Sequence, residues 1–354
     1  MKTSICIPNY NYEKFIGRTI KSVLEQTVDS WELVIADNAS TDSSIEVIRS
    51  FEDPRISHKV NQCNVGFAGN LDQVGRMAAG ELMIMLSSDD LMRPDALKDY
   101  LRLYELLGEN AAENTVISSS MDKINAEDEL IGEVGARNVL WYETDIDATL
   151  SDKFGCKVYR VDADILLTRC LQTMQNPFNF AATCYPTKLY SRLEGYGGGR
   201  LINPDKWFHW RLLEVAKSAV FIDKPLFAYR WHDSNQTAQQ AETGALKYQL
   251  DDYRATLEID NTMLSRANLT RDDIIDAFIE YDIGRSGLAT LAKRQPTRAK
   301  RILRFGESVY PSFTRKNRKA ILLKTLLGLG YAGEKAAQIA YEQLPKSQRT
   351  NPQA

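Results

Sequence analysis

Histidine and cysteine are scarce in this 354-residue chain, which holds three of the first and five of the second. The cysteines (Cys6, Cys63, Cys156, Cys170, Cys184) are odd in number and nowhere spaced as CxxC or CxxH. That pattern argues against a disulfide framework or a zinc site and leads us to expect a reducing compartment. No apolar run approaches the length of a membrane span. The opening "TSICIPNYNY" lacks a basic n-region and a long apolar core, so no signal peptide is expected and the expected location is cytoplasmic. Charge of one sign is missing too: 44 Lys and Arg against 47 Asp and Glu leave a net charge of -3, which gives no bias toward nucleic acid. No fixed-period repeat occurs.

What is present is a regular alternation. "TSICI", "WELVIA", "ISHKV" and "ELMIML" are short apolar runs with the composition of buried strands. Between them lie helical patterns. Ile16, Ile20, Val23 and Leu24 share one face, and Leu71, Val74 and Ala78 share another. Ser43 and Glu46 have capping-box spacing ahead of Ile45, Ile48 and Phe51. Pro94 and Asp95 are expected to open a helix that buries Leu97, Tyr100, Leu101 and Tyr104. Strands alternating with helices predict βαβ crossovers and a mostly parallel sheet flanked by helices. From 115 to 232 the pattern is mixed, with short strands ("TVISS", "AVFID", "LFAYRW") and helices near 163–172 and 204–216. Beyond about 240 only polar-rich helical patterns remain. The division expected is 1–240, with halves 1–110 and 111–240, and then a helical region 241–354 whose last ten or so residues are loose.

Ligands of open parallel sheets sit beyond the carboxyl ends of the strands. Those ends carry "PNYNY" (8–12), "DNAS" (37–40) and "SSDD" (87–90). Serine and aspartate are good turn formers, so any one cluster is ordinary. Their recurrence at successive strand ends points to chemistry.

Three stretches carry a resemblance: "SICIPNYNYEKFIGRTIKSVLEQT", "WELVIADNASTD" and "NVGFAGNLDQVGRMAAGELMIMLSSDD". In order and spacing they resemble the nucleotide-binding half of a family 2 glycosyltransferase with the GT-A fold. The likeness is dense over 1–110 and thinner over 180–235. It implies a Rossmann-like GT-A domain that transfers sugar from a nucleoside-diphosphate sugar, UDP or dTDP, to a hydroxyl with inversion. The acceptor implied is a glycan or lipid-linked glycan, as in bacterial surface polysaccharide synthesis.

By that resemblance Pro8, Asn9 and Tyr10 line the base and ribose, and Asp37 accepts from the ring N–H of the base, a task suited to an ionised carboxylate. Asn64, Asn70, Ser88 and Asp90 join the donor site. Asp89 resembles the carboxylate that holds a divalent cation, manganese or magnesium, whose charge offsets the departing diphosphate. "PLFAYRWHDSNQT" (225–237) resembles the closing stretch of the site, offering His232 as a metal ligand and Arg230 as a phosphate donor. "INPDKWFHWRLL" resembles the element that supplies the general base, placing Asp205 in that role after Asn203 as N-cap and Pro204 at N1. His209, one turn on, reads as a packed core histidine. The sequence departs from the family pattern at Asn38, Ala39, Ser87 and Pro204; Asn38 and Ala39 leave base selectivity open, and Asn38, Ser87 and Pro204 keep a degenerate sugar-nucleotide-binding module in view. A nucleotidyltransferase would want a glycine-rich basic phosphate loop near the N-terminus, and "PNYNYEKFIG" is not one. "GYGGGR" (195–200) reads as a loop near the acceptor.

The stretch Lys293–Lys324 is basic and amphipathic, with Leu322, Leu323, Leu326 and Leu327 on helical patterns. Two expectations follow. One is peripheral contact with the inner face of the cell membrane. The other is packing of these leucines on the catalytic domain or in a homodimer.

Overall fold

The computed structural model describes residues 1–135, 139–197, 204–232, 235 and 246–344. Ten strands form one mixed sheet: β1 Thr3–Asn9, β2 Trp31–Asp37, β3 Ile56–Val60, β4 Leu82–Met85, β5 Leu91–Met92, β6 Thr115–Ile124, β7 Leu130–Val134, β8 Val158–Asp162, β9 Thr183–Pro186 and β10 Ser218–Arg230. Their order is β3-β2-β1-β4-β9-β6-β10-β5, with β7 beside β6 and β8 beside β10. The first four strands pair in parallel, as do β6 and β10. β9 runs antiparallel between β4 and β6.

The first half follows its sequence pattern closely. Helices α1 Ile16–Leu24, α2 Ser44–Arg49, α3 Gly66–Gly75 and α4 Ala96–Leu107 form the crossovers. Ile16, Ile20 and Val23 of α1, with Leu97 and Tyr100 of α4, close over Ile5, Ile7, Leu33, Ile35 and Ile84 of the sheet. Each such fully buried side chain contributes roughly 1.5–3 kcal/mol. Tyr100 and Tyr104 bury their rings because their hydroxyls find partners, Ser119 and the Ala182 carbonyl for one, the Thr115 and Cys184 carbonyls for the other.

Several local expectations give way to neighbours. The Ser43–Glu46 capping box does not form. Asp42 Oδ1 accepts from the Ser44 amide and Glu13 accepts from the Ser43 amide, so donors at this helix start are already served. Pro94 and Asp95 lie in a turn, α4 begins at Ala96, and Leu103 rather than Leu101 is fully buried. α3 ends before Ala78. "AVFID" and "LFAYR" are one strand, β10, whose register slips around Pro225, a residue that cannot donate to a ladder. The proposed cap Asn203 and residues 198–200 of the glycine run lie outside the described residues.

The chain divides into two compact units, 1–167 with 176–232, and 168–175 with 233–354. Among the described residues the second unit holds helices and no strand, from Lys247–Glu258 to Tyr331–Gln343, with a π-helical stretch at Ile279–Arg285. Tyr253, Phe278, Phe305 and Tyr310 form its aromatic centre. Leu323 lies so close over Gly287 that a Cβ there would clash. Two cavities of 280 and 330 Å³ are lined by residues of this unit. Among the described residues no helix is long and apolar enough to cross a membrane.

Candidate active site

Parallel register brings Asn9 of β1 opposite Asp37 of β2. Asp37 is buried and accepts three hydrogen bonds: from the Ser40 amide at 2.8 Å, the Ser40 hydroxyl at 2.6 Å and Asn9 Nδ2 at 2.8 Å. Donors from neutral groups hold a carboxylate in place while leaving it the charge. Behind it runs a ladder of amides. Asn70 Nδ2 donates to the Asn9 and Ala36 carbonyls, Asn61 Nδ2 donates to Asn70 and Asn38, and Asn38 Nδ2 donates to Asn64. Asn70 is therefore a scaffold of the strand ends, with both ends of its amide engaged by protein. Tyr10 is exposed at the rim. Ala39 adopts a left-handed conformation at φ 61°, which explains why glycine suits that position: a Cβ there costs about 1–2 kcal/mol.

The second corner follows β4. Ser88 Oγ donates to the Pro8 carbonyl at 3.0 Å, and Thr19 Oγ1 donates to the Ser88 carbonyl at 2.9 Å, so the "SSDD" loop is tied to β1 and α1. Asp89 Oδ2 lies 3.1 Å from His232 Nε2, and both residues are buried. The His232 ring packs on Phe15 at 4.4 Å between centroids and meets Tyr12 edge-on. Asp90 Oδ1 accepts from the Arg230 amide at 2.9 Å. Burial and the adjacent Asp89 carboxylate hold Asp90 well above the ordinary carboxylate range. Burial, then the charges of Asp89 and Asp90, push the Tyr12 phenol up as well.

Arg230 is fully buried, and its guanidinium is turned inward. It donates to the Asp89 carbonyl at 2.7 Å and the Asn125 carbonyl at 3.0 Å, and pairs with Asp128 at the tip of the β6–β7 hairpin. The expected contact with phosphate does not match this burial; the guanidinium fastens the aspartate loop to the hairpin.

The third corner is reached through topology. Antiparallel pairing of β9 with β4 sets Cys184 opposite Ile84. The segment leading into β9 therefore lies at the carboxyl end of β4, where "SSDD" begins. Asn179 fixes that segment to β6 by donating to the Ser119 carbonyl at 2.8 Å. Asp205, in the first turn of the helix Pro204–Val215, is bound to the same segment by Asn176.

A profile of glycosyl transferase family 2 matches residues 4–147. An uncharacterised glycosyltransferase of Nostoc sp. is 36% identical over 107 residues, which cover 30% of this chain and 33% of the relative. The Escherichia coli UDP-Glc:alpha-D-GlcNAc-diphosphoundecaprenol beta-1,3-glucosyltransferase WfgD is 38% identical over 88 residues, 25% of this chain and 35% of the relative. The likeness thus spans about a third of each curated relative's length. The structure is similar to that of Staphylococcus aureus TarS 1–349 in complex with UDP-GlcNAc, at a TM-score of 0.60 and 17% identity over 97% of this chain and 92% of that one. The fold is GT-A, and in the TarS comparison the likeness extends into the helical unit.

The likeness to family 2 implies a divalent cation, and the donor set can be tested against one. Among the described residues no group of three or more His, Cys, Asp or Glu side chains could hold a metal ion. Asp89 and His232 nevertheless offer two adjacent ligands. Asp89 would supply the oxygen ligand that a hard divalent cation prefers, and His232 would add a nitrogen donor beside it, of the kind a transition-metal ion accepts. Sequence reasoning missed the supports of this site: Ser40, Phe15, Thr19, Asp128 and Asn176. Ser40 was legible as a turn-forming residue within "DNAS". The others act across the fold and leave no local signal.

Proposed function

We propose that the chain is an inverting glycosyltransferase that moves a sugar from a UDP- or dTDP-sugar to a hydroxyl of a glycan or lipid-linked glycan, in the synthesis of bacterial surface polysaccharide. The observation that carries this reading is the placement of Asp37 and of the Asp89–His232 pair beyond the carboxyl ends of β2 and β4, the two parallel strands that flank β1, with both aspartates inside the family-matched segment 4–147. Asp37, fixed by three donors, is set to accept the imide N–H of uracil or thymine, with Tyr10 and Pro8 beside the base and Asn64 and Ser88 along the loops. Asp89 and His232 would hold the divalent cation, which when bound supplies positive charge against the leaving diphosphate. Asp90 and Arg230 keep the Asp89 loop in place. Asp205 takes the proton of the acceptor hydroxyl as general base. One base and one clamped leaving group are enough for direct displacement at the anomeric carbon with inversion.

Two neighbours support parts of this assignment. TarS has been crystallised with UDP-GlcNAc, and the mannosyltransferase PcManGT of Pyrobaculum calidifontis, at TM-score 0.52 and 15% identity, with GDP-Man and Mn2+. The exposed Ile321, Leu322, Leu329 and Tyr331, near Arg315, Lys316, Arg318 and Lys324 in sequence, support contact of the helical unit with an anionic membrane surface.

A thermal-shift panel of UDP, dTDP, GDP, CDP and ADP, each with manganese, magnesium or chelator, tests the donor site. A ligand at about 100 times its Kd adds roughly 2.7 kcal/mol of stability. Stabilisation by one uracil or thymine diphosphate that needs metal and vanishes in Asp89→Ala is the result expected. No stabilisation under any metal would sink the reading. Binding without release of diphosphate from any sugar nucleotide would favour the degenerate module instead, the reading that Asn38, Ser87 and Pro204 suggest.

A further inference from the structure

We propose that Asn176 is a positioning residue that couples the buried His209 to the Asp205 carboxylate and holds that carboxylate in orientation. The inference rests on Asp205 being the base, as proposed above. Asp205 and His209 are four residues apart on the helix Pro204–Val215 and so share a face. One amide spans both: Asn176 Nδ2 lies 2.9 Å from Asp205 Oδ2, and Asn176 Oδ1 lies 2.7 Å from His209 Nδ1.

Every polarity in this chain follows from the first member. An ionised carboxylate only accepts, so the amide must turn its NH2 to Asp205 and its carbonyl to His209. The carbonyl in turn only accepts, so His209 Nδ1 must carry the proton. Burial drives the His209 pKa down to about 3, so the ring is neutral and its single N–H is committed to Asn176. Phe178 meets the ring edge-on at 5.4 Å and leaves it little room to turn. Asn176 itself precedes Pro177, whose carbonyl accepts from the buried Trp141 indole at 3.2 Å. The amide is thus held by backbone that the core fixes. Because Asn176 cannot ionise, the relay orients Asp205 without adding a second charge that would compete for the acceptor proton.

The chain has three histidines, so a 15N-histidine-labelled full-length sample gives three imidazoles. His209 is the one that survives in both His58→Gln and His232→Gln. The wild-type ring should be the Nδ1–H tautomer and should stay neutral from pH 8 to pH 5. In Asn176→Ala that tautomer should lose its dominance. The 13C-carboxyl titration of Asp205, assigned by its loss in Asp205→Asn, should move up when the Asn176 donor is removed. An Nδ1–H tautomer that persists in Asn176→Ala, or an Asp205 titration that stays put, would leave Asn176 a mere packing residue and overturn the proposal. A wild-type ring protonated at Nε2, or titrating near its ordinary value, overturns it with no variant needed. These signals are read without substrate. A failed nucleotide panel beside an intact relay would therefore sink the transferase reading alone, and the converse would sink the relay alone.

Discussion

The sheet unit and the helical unit depart from ordinary burial in opposite directions. In the first, Asp37, Asp89, Asp90, Arg230 and His232 are polar and buried. In the second, Ile321, Leu322, Leu329, Tyr331 and Ile339 are apolar and exposed, Tyr331 at 73%. Buried polar groups cost free energy unless each is bonded, so a sheet edge that collects five of them must fix every one with a partner. Exposed apolar groups need no such construction. Single ones are common, and only a contiguous patch beside cations argues for a surface to dock on. The contrast teaches where precision lies: the first unit specifies atoms, the second a face.

The largest effect should come from the most heavily bonded of these groups. Arg230→Leu removes the donor to the Asp89 and Asn125 carbonyls and the partner of Asp128. Chemical denaturation should show a loss of about 2–4 kcal/mol, the cost of leaving the Asp89 and Asn125 carbonyls without their donor. A loss under about 1 kcal/mol would mean that the burial of polar groups here is incidental.

Asp37→Asn sets a donor against Asn9 Nδ2 while the Ser40 amide keeps an acceptor. About 1–3 kcal/mol should be lost, together with the preference for uracil or thymine diphosphates. Unchanged nucleotide preference would remove Asp37 from base recognition.

His209 predicts a pH dependence of folding. Its folded pKa, about 3, lies below the ordinary 6.5, so the unfolded chain binds the proton between those values. The stability this histidine contributes is complete above its unfolded pKa and is lost as pH falls through 6.5 toward 3. By pH 5 about 2 kcal/mol should be gone. The loss should be absent in His209→Gln, measured by denaturant melts at each pH. A wild-type slope equal to that of the variant would mean that the ring is solvated.

The smallest effect on stability belongs to the helical face. Leu322→Ser, at a side chain 48% exposed, should change stability by less than about 0.5 kcal/mol. It should nevertheless reduce co-sedimentation with vesicles of phosphatidylglycerol. Equal sedimentation of the variant, or none by the wild type, would return this face to ordinary surface.

Local pattern and chain order determined a good deal by themselves. Apolar runs of strand length alternating with helical stripes fix β1 to β4 and their crossovers, because period and burial are local properties of a chain. "PNYNY", "DNAS" and "SSDD" at strand ends follow from that order, since parallel strands present their carboxyl ends on one edge. The strands β5, β7, β8 and β9 were not legible. "TCYP" is four residues ending in proline and becomes a strand only because β4 and β6 leave a slot between them. The inward turn of Arg230 was equally hidden, because its partners lie about 100 and 140 residues away in sequence. The same holds for Asn176, which stands 29 residues before Asp205 and 33 before His209. Hydrogen bonds of that span depend on where packing sets two backbones, and no periodicity in one segment records the position of another. Sequence thus determined which residues could do chemistry, and tertiary structure decided which of them face a ligand and which hold the others still.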